Sequence, residues 1–171
     1  CSLCYQFIPH IHRERLQEPS HTKKPYRIGL NFMGDTFDSD VHPDWLQDIL
    51  EMVRKCPQHT FIILTKQPQN VPKWFSHEAS ENLWVGVSVN QRSDLWRIEE
   101  LQKTFFTVKI VSFEPLYEDL GKINLQNIGW IIIGAQTRPN LQPEPEWVES
   151  LCLQARDLKI PIFLKNNLEK E

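Results

Sequence analysis

The sequence predicts an α/β fold, a partial or distorted (β/α) barrel formed by a single domain over residues 1–171. Three observations predict it. Short runs that are apolar at nearly every position alternate with segments of helical periodicity. One parity of those runs stays apolar to its end while the other turns small or polar. No linker or low-complexity stretch divides the 171 residues, a length that suits one domain.

Six runs read as strands: Arg27–Phe32, Thr60–Thr65, Leu83–Val89, Val108–Phe113, Trp130–Gly134 and Pro161–Lys165. They are rich in Ile, Val, Leu and Phe, as parallel strands covered on both faces are. Pro43–Lys55 reads as a helix, with Pro43 in its first turn and Trp45, Leu46, Ile49, Leu50 and Val53 on one stripe. Leu95–Lys103 carries Leu95, Ile98 and Leu101. Pro145–Leu158 carries Val148, Leu151, Cys152 and Ala155. A helix is expected to follow Cys4 and run through Leu16, with Pro9 disturbing its start. Asn70–Phe75 is expected to make a short helical turn. Arg15–Tyr26 and Gln136–Pro145 read as loops. The alternation implies right-handed βαβ crossovers.

Strand parity separates a barrel from an open sheet. Val85, Val87 and Val89 share one face of their run, while Gly86, Ser88 and Asn90 share the other. Val111 and Phe113 oppose Ile110, Ser112 and Glu114. Ile131, Ile133 and Ala135 oppose Ile132, Gly134 and Gln136. Asn31, Lys66 and Lys165 stand at the ends of other runs. A barrel uses such asymmetry, because helices cover its outside while its interior becomes wet at the C-terminal strand ends. A doubly wound sheet buries both faces. Taken singly, these polar residues also suit strand ends and helix caps.

The net charge is −3, with both signs interspersed, so the total does not point to a nucleic-acid partner. No run approaches the ~20 apolar residues of a membrane span, and no signal peptide is visible. Four cysteines are too few for a secreted disulfide scaffold, so a reducing, cytoplasmic setting is expected. Cys56 and Cys152 lie in helical patterns and read as plain buried thiols.

Cys1-Ser2-Leu3-Cys4-Tyr5 leaves three readings open. It can be half of a zinc site, for which His10 and His12 are the nearest further ligands. It can be a redox pair, which needs a strand before it and a helix after. It can hold an iron–sulfur cluster with a third cysteine upstream. Three thiolates bind a [4Fe–4S] cluster and leave one iron open, and such an iron belongs on the loop after a barrel's first strand. The last reading expects that first strand, and the third cysteine, before Cys1.

Five pieces in order carry a resemblance: C-x-x-C-Y at Cys1–Tyr5, N-x-M-x-D-x-F at Asn31–Phe37, L-T-K-x-P at Leu64–Pro68, G-V-S-V at Gly86–Val89 and S-x-E-P-L at Ser112–Leu116. The chain resembles the phage Gp37/Gp68 family, whose members resemble radical S-adenosylmethionine (SAM) enzymes. The resemblance implies a radical-SAM-type barrel that binds a [4Fe–4S] cluster and SAM and cleaves SAM reductively on an unknown substrate. It matches Cys1 and Cys4 to the last two cluster ligands. It places Lys66, Ser88, Asn90, Ser112 and Glu114 at motif positions, with Asn31, Asp35, Gln136 and Lys165 as further candidates for holding the cofactor. Ser88, Asn90 and Ser112 would meet ribose or methionine groups, Glu114 an amine or ribose hydroxyl, and Lys66 and Lys165 a carboxylate or phosphate. Asp35 would orient a ligand or cap a turn.

The chain departs from the family at Gly134-Ala135-Gln136-Thr137, where a Gly-Gly-Glu-Ser turn is usual, and at Lys165-Asn166-Asn167. The alternative reading is a barrel without a cluster that binds a nucleotide or nucleic acid, with Trp74, Trp84, Trp96 and Tyr117 as stacking candidates.

Overall fold

The computed structural model describes residue 6, residues 8–73, residue 75 and residues 80–168. Six strands form one parallel sheet: β1 (Arg27–Leu30), β2 (Thr60–Thr65), β3 (Leu83–Ser88), β4 (Lys109–Phe113), β5 (Trp130–Ile133) and, last in the chain, β8 (Ile162–Leu164). Their spatial order follows the chain without reversal. A doubly wound sheet reverses its order at a switch point; this sheet winds one way and curls into a half-barrel. β6 (Gln136–Thr137) and β7 (Asn140–Leu141) form a small antiparallel hairpin between β5 and β8.

Three α-helices cover the convex face. α1 (Pro43–Lys55) begins with Pro43 at the position where its missing N–H costs nothing, and the His42 ring accepts the Asp44 amide. It buries Leu46, Leu50, Met52 and Val53. α2 (Trp96–Gln102) buries Ile98 and Leu101, and α3 (Pro145–Asp157) buries Leu151, Cys152 and Ala155. They meet Phe61, Ile63, Val85, Val87, Val111, Phe113, Ile131 and Ile133, all buried on the outward parity. Cys56 and Cys152 are buried thiols on this side, and burial raises the Cys152 pKa.

The inward parity carries a different set. Register places Ile62 beside Trp84, Ile110 beside Trp130 and Ile132 beside Phe163. Trp84 and Trp130 meet edge to face at 6.3 Å, Trp130 and Phe163 lie 6.4 Å apart, and the Arg27 guanidinium sits 5.7 Å from the Trp84 ring. These rings floor the concave face near the N-terminal ends of the strands. Phe163 is half exposed on the edge strand.

Two expectations need correction and a third a shift of bounds. No α-helix leads to Leu16 among the described residues; a 3₁₀-helix occupies Arg13–His21, overlapping the end of that expected helix and the Arg15–Tyr26 segment read as a loop. It buries no residue and contains Pro19, so no apolar period marked it. It is held instead by polar ties: Arg13 to Asp48 on α1 at 2.9 Å, Gln58 to the Thr22 carbonyl, and buried His59 to the Pro19 carbonyl at 2.8 Å. His59 accepts the Tyr26 amide on its other nitrogen, so its neutral ring is satisfied at both ends. The helical turn expected at Asn70–Phe75 is a 3₁₀-helix over Pro68–Lys73. The segment read as a loop over Gln136–Pro145 contains the β6–β7 hairpin.

Two residues of the sheet make testable demands. A Cβ on Gly86 would stand 2.7 Å from the Ile110 carbonyl oxygen and 2.7 Å from Leu64 Cδ2. Gly86→Ala is expected to cost about 1–3 kcal/mol, read by urea unfolding, because the backbone oxygen cannot move aside. Lys109 is buried in β4 with its ammonium donating to the Phe106 carbonyl, and burial lowers its pKa. The folded chain therefore penalises the charged form. The penalty is complete below the folded pKa, and stability rises as pH climbs through that value toward the ordinary lysine range. Lys109→Met is expected to gain about 1 kcal/mol at neutral pH and to abolish this alkaline rise, measured by unfolding across a pH series.

Candidate functional site

Because all six strands are parallel, their C-terminal tips lie at one end of the sheet. Asn31, Lys66, Ser88, Asn90, Ser112, Glu114 and Lys165 stand at those tips or directly after them on the inward parity. The structure thus gathers them around one opening. Cys1 and Cys4 lie outside the described residues, as do Tyr5 and Trp74.

Ser88 and Ser112 are register partners on adjacent strands. Ser112 is buried and Ser88 partly so, and neither hydroxyl has a protein hydrogen-bond partner among the described residues. Both present donor and acceptor capacity to the concavity.

Glu114 follows β4 and Lys165 follows β8, with Gly134 after β5 between them. The Lys165 ammonium pairs with Glu114 Oε1. A Cβ at Gly134 would lie 3.1 Å from both the Glu114 side chain and Lys165 Cδ. The missing side chain lets the two charges meet across the intervening strand. Both are partly solvated, so the pair's net worth is small; its importance is to place a carboxylate and an ammonium side by side at the opening.

The end of β3 is pinned by residues that motif reading missed. The Arg97 guanidinium donates to the Ser88 carbonyl at 2.8 Å and pairs with Asp94 at 3.0 Å. Asp94 accepts the Asn90 amide with its other oxygen at 3.1 Å. The only visible signal was an Asp and an Arg three apart at a helix start. Asn90 donates its side-chain amide to the Pro115 carbonyl at 2.7 Å. Tyr117, tied to the Asn90 carbonyl through its backbone amide, donates its hydroxyl to Gln136 Oε1 at 2.7 Å. Gln136 is therefore attached to the rim through Tyr117 and lies in the hairpin.

Asp35 closes the β1–β2 end. One oxygen accepts the Thr65 hydroxyl at 2.7 Å and the Phe37 amide at 3.0 Å, and the other accepts the Lys66 amide at 2.7 Å. It ties the turn after β1 to the tip of β2. Asn31 adopts a left-handed backbone (φ 54°) and donates to Thr36 Oγ1 at 3.3 Å. The Lys66 side chain is exposed.

The stacking candidates separate. Trp84 belongs to the concave aromatic floor and Tyr117 to the rim. Trp96 is an exposed residue of α2 beneath the Arg97 guanidinium. A surface depression of about 540 Å³ runs along α3 beside Asp119 and Lys122, and none of the strand-tip residues lines it. Among the described residues no group of three or more His, Cys, Asp or Glu side chains gathers as a metal site, and no helix is long and apolar enough to cross a membrane.

A family model described as a protein of unknown function, DUF5131, matches residues 4–169. No curated protein and no solved structure matches the chain.

Asp35→Ala strands a buried Thr65 hydroxyl and two backbone amides. It is expected to cost about 1–3 kcal/mol in urea unfolding and to speed hydrogen exchange at Phe37 and Lys66.

Proposed function

We propose that this chain, which belongs to the DUF5131 family of proteins of unknown function, is a radical-SAM-like iron–sulfur protein. The observation that carries the reading is the half-barrel's opening. There Ser88, Ser112 and the Glu114–Lys165 pair stand at neighbouring strand tips, with Gly134 leaving the pair room to meet.

That donor set fits the polar groups of S-adenosylmethionine. Glu114 offers a carboxylate to an ammonium group, while Lys165 and the exposed Lys66 offer cations to a carboxylate. Ser88 and Ser112 offer hydroxyls to a ribose. Cys1 and Cys4 would supply two thiolates to a [4Fe–4S] cluster. Neither Cys56 nor Cys152 serves as a third, because both are buried on the helix side. The cluster and SAM, when bound, supply one-electron reductive cleavage of a carbon–sulfur bond. The chain's own residues hold and orient. The Asp94–Arg97 pair sets the height of the β3 tip, and the aromatic floor closes the opposite end of the concavity.

A second reading has one observation in its favour. Trp84, Trp130 and Phe163 form an aromatic ladder on the concave face with Arg27 against it. A barrel lacking the cluster would use that floor to stack the base of a nucleotide.

Anaerobic reconstitution with iron and sulfide, retaining any residues encoded before Cys1, separates the two. The cluster reading expects visible cluster absorbance that Cys4→Ala abolishes, and SAM affinity reduced about 10–100-fold by Glu114→Gln or Lys165→Met. Absence of iron uptake, or iron unaffected by Cys4→Ala, overturns it. Nucleotide binding by the iron-free chain that Trp84→Ala weakens then supports the second reading.

A further inference from the structure

The half-barrel is open along its sides as well as at its tips. Among the described residues no strand pairs with the outer edge of β1 or of β8. An aromatic ring stands exposed at each of these edges. Phe163 on β8 is 50% exposed, and Phe32, just past β1, is 63% exposed.

Two local features put Phe32 on the concave face. Asn31 takes a left-handed backbone (φ 54°), and the Gly34 amide donates to the Asn31 carbonyl at 3.1 Å, so the chain turns back at the end of β1. Gly29 then makes room for the ring. It is the register partner of Ile62 and belongs to the inward parity. The first atoms that a Cβ on Gly29 would meet, at 2.5, 2.6 and 3.1 Å, all belong to the Phe32 ring. The ring therefore lies over the inward side of β1. Ile62 and Trp84 continue the same register row, and Trp130 and Phe163 complete the ladder to the far edge. An apolar surface that runs from edge to edge, with rings open to water at both ends, marks a place for a partner.

The charge on this face gives the partner's chemistry. The whole chain carries a net charge of −3. The inward positions on and directly after the strands carry the opposite sign: Arg27, Lys66 and Lys165 against Glu114 alone. Lys165 pairs with Glu114, which leaves Arg27 and Lys66 without a carboxylate partner among the described residues. Rings beside unpaired cations suit single-stranded nucleic acid, whose bases stack on rings whatever the sequence and whose phosphates meet the cations. An open sheet face bearing exposed aromatics takes two or three bases in this way. Two open edges favour a polymer over a free nucleotide, because a strand can enter over one edge and leave over the other. A duplex fits poorly, since its bases already cover one another.

We propose that the concave face binds single-stranded nucleic acid laid from β1 to β8, with bases on Phe32, Trp84, Trp130 and Phe163 and phosphates at Arg27 and Lys66. The strand-tip opening adjoins this face, so the bound polymer is also the substrate class of the proposed cofactor site. That second role rests on the cofactor reading; the binding itself does not.

Fluorescence anisotropy of labelled single-stranded DNA and RNA, with the iron-free chain, tests the proposal. Affinity is expected to rise as the oligonucleotide grows from one to about six nucleotides, and a duplex of equal length to bind at least about 10-fold more weakly. Phe32→Ala and Phe163→Ala are each expected to weaken binding about 5–150-fold. Gly29→Ala is expected to do the same by displacing the Phe32 ring, with the circular dichroism of the folded chain retained. Arg27→Gln is expected to flatten the salt dependence, from a log–log slope of about −1.4 to about −0.7. Trp96→Ala, on the helix side, is expected to leave affinity unchanged. No single-strand binding at low salt overturns the proposal. So does binding indifferent to both Phe32→Ala and Phe163→Ala, or a duplex held as tightly as a single strand. A mononucleotide held as tightly as the strand overturns it in favour of a nucleotide site. Iron uptake is read through Cys4 and strand binding through the two phenylalanines, so either proposal can fail alone.

Discussion

The fold depends on a one-sided burial requirement. Among the described residues the helices cover the convex side of the sheet, so one parity of each strand must be largely apolar. Phe61, Ile63, Val85, Val87, Val111, Phe113, Ile131 and Ile133 meet that demand, and buried Thr65 and Lys109 are the polar members of the same parity. Each apolar side chain of the set contributes roughly 1.5–3 kcal/mol of burial free energy. The opposite parity is released from it once the sheet curls. There the chain places rings near the N-terminal ends and polar groups at the C-terminal tips.

A concave face holding both rings and charges must satisfy each locally. The rings shield one another as a ladder, with the Arg27 guanidinium against Trp84. The charges meet in pairs that need particular gaps. Glu114 reaches Lys165 because Gly134 has no side chain. β3 can approach β4 closely because Gly86 has none either. Glycines at these positions are the complement of the packing around them. The polar end is also braced from outside the opening: Asp35 binds the β1 turn to β2, and the Asp94–Arg97 pair binds the β3 tip to α2.

The strands were legible because parallel strands under helices are nearly continuous in apolar residues, and Thr60–Thr65 emerges with the expected bounds. Pro43–Lys55 was legible for the same reason, since its stripe and leading proline are local signals. The 3₁₀-helix over Arg13–His21 was not, because its hold on the body is a set of hydrogen bonds from residues far along the chain. The hairpin of β6 and β7 escaped because two-residue strands carry no periodicity. Ser88, Asn90, Ser112 and Glu114 were marked by parity alone, and the tips do share one end.

Sequence by itself determined the α/β class, the six strands of the parallel sheet and which side chains face inward, since alternation and helical period are properties of neighbouring residues. Tertiary structure decided which inward side chains touch. Glu114 and Lys165 are 51 positions apart and meet only because β4 and β8 flank β5. Distances of this kind follow from strand register and side-chain orientation, which no local pattern of residue types encodes.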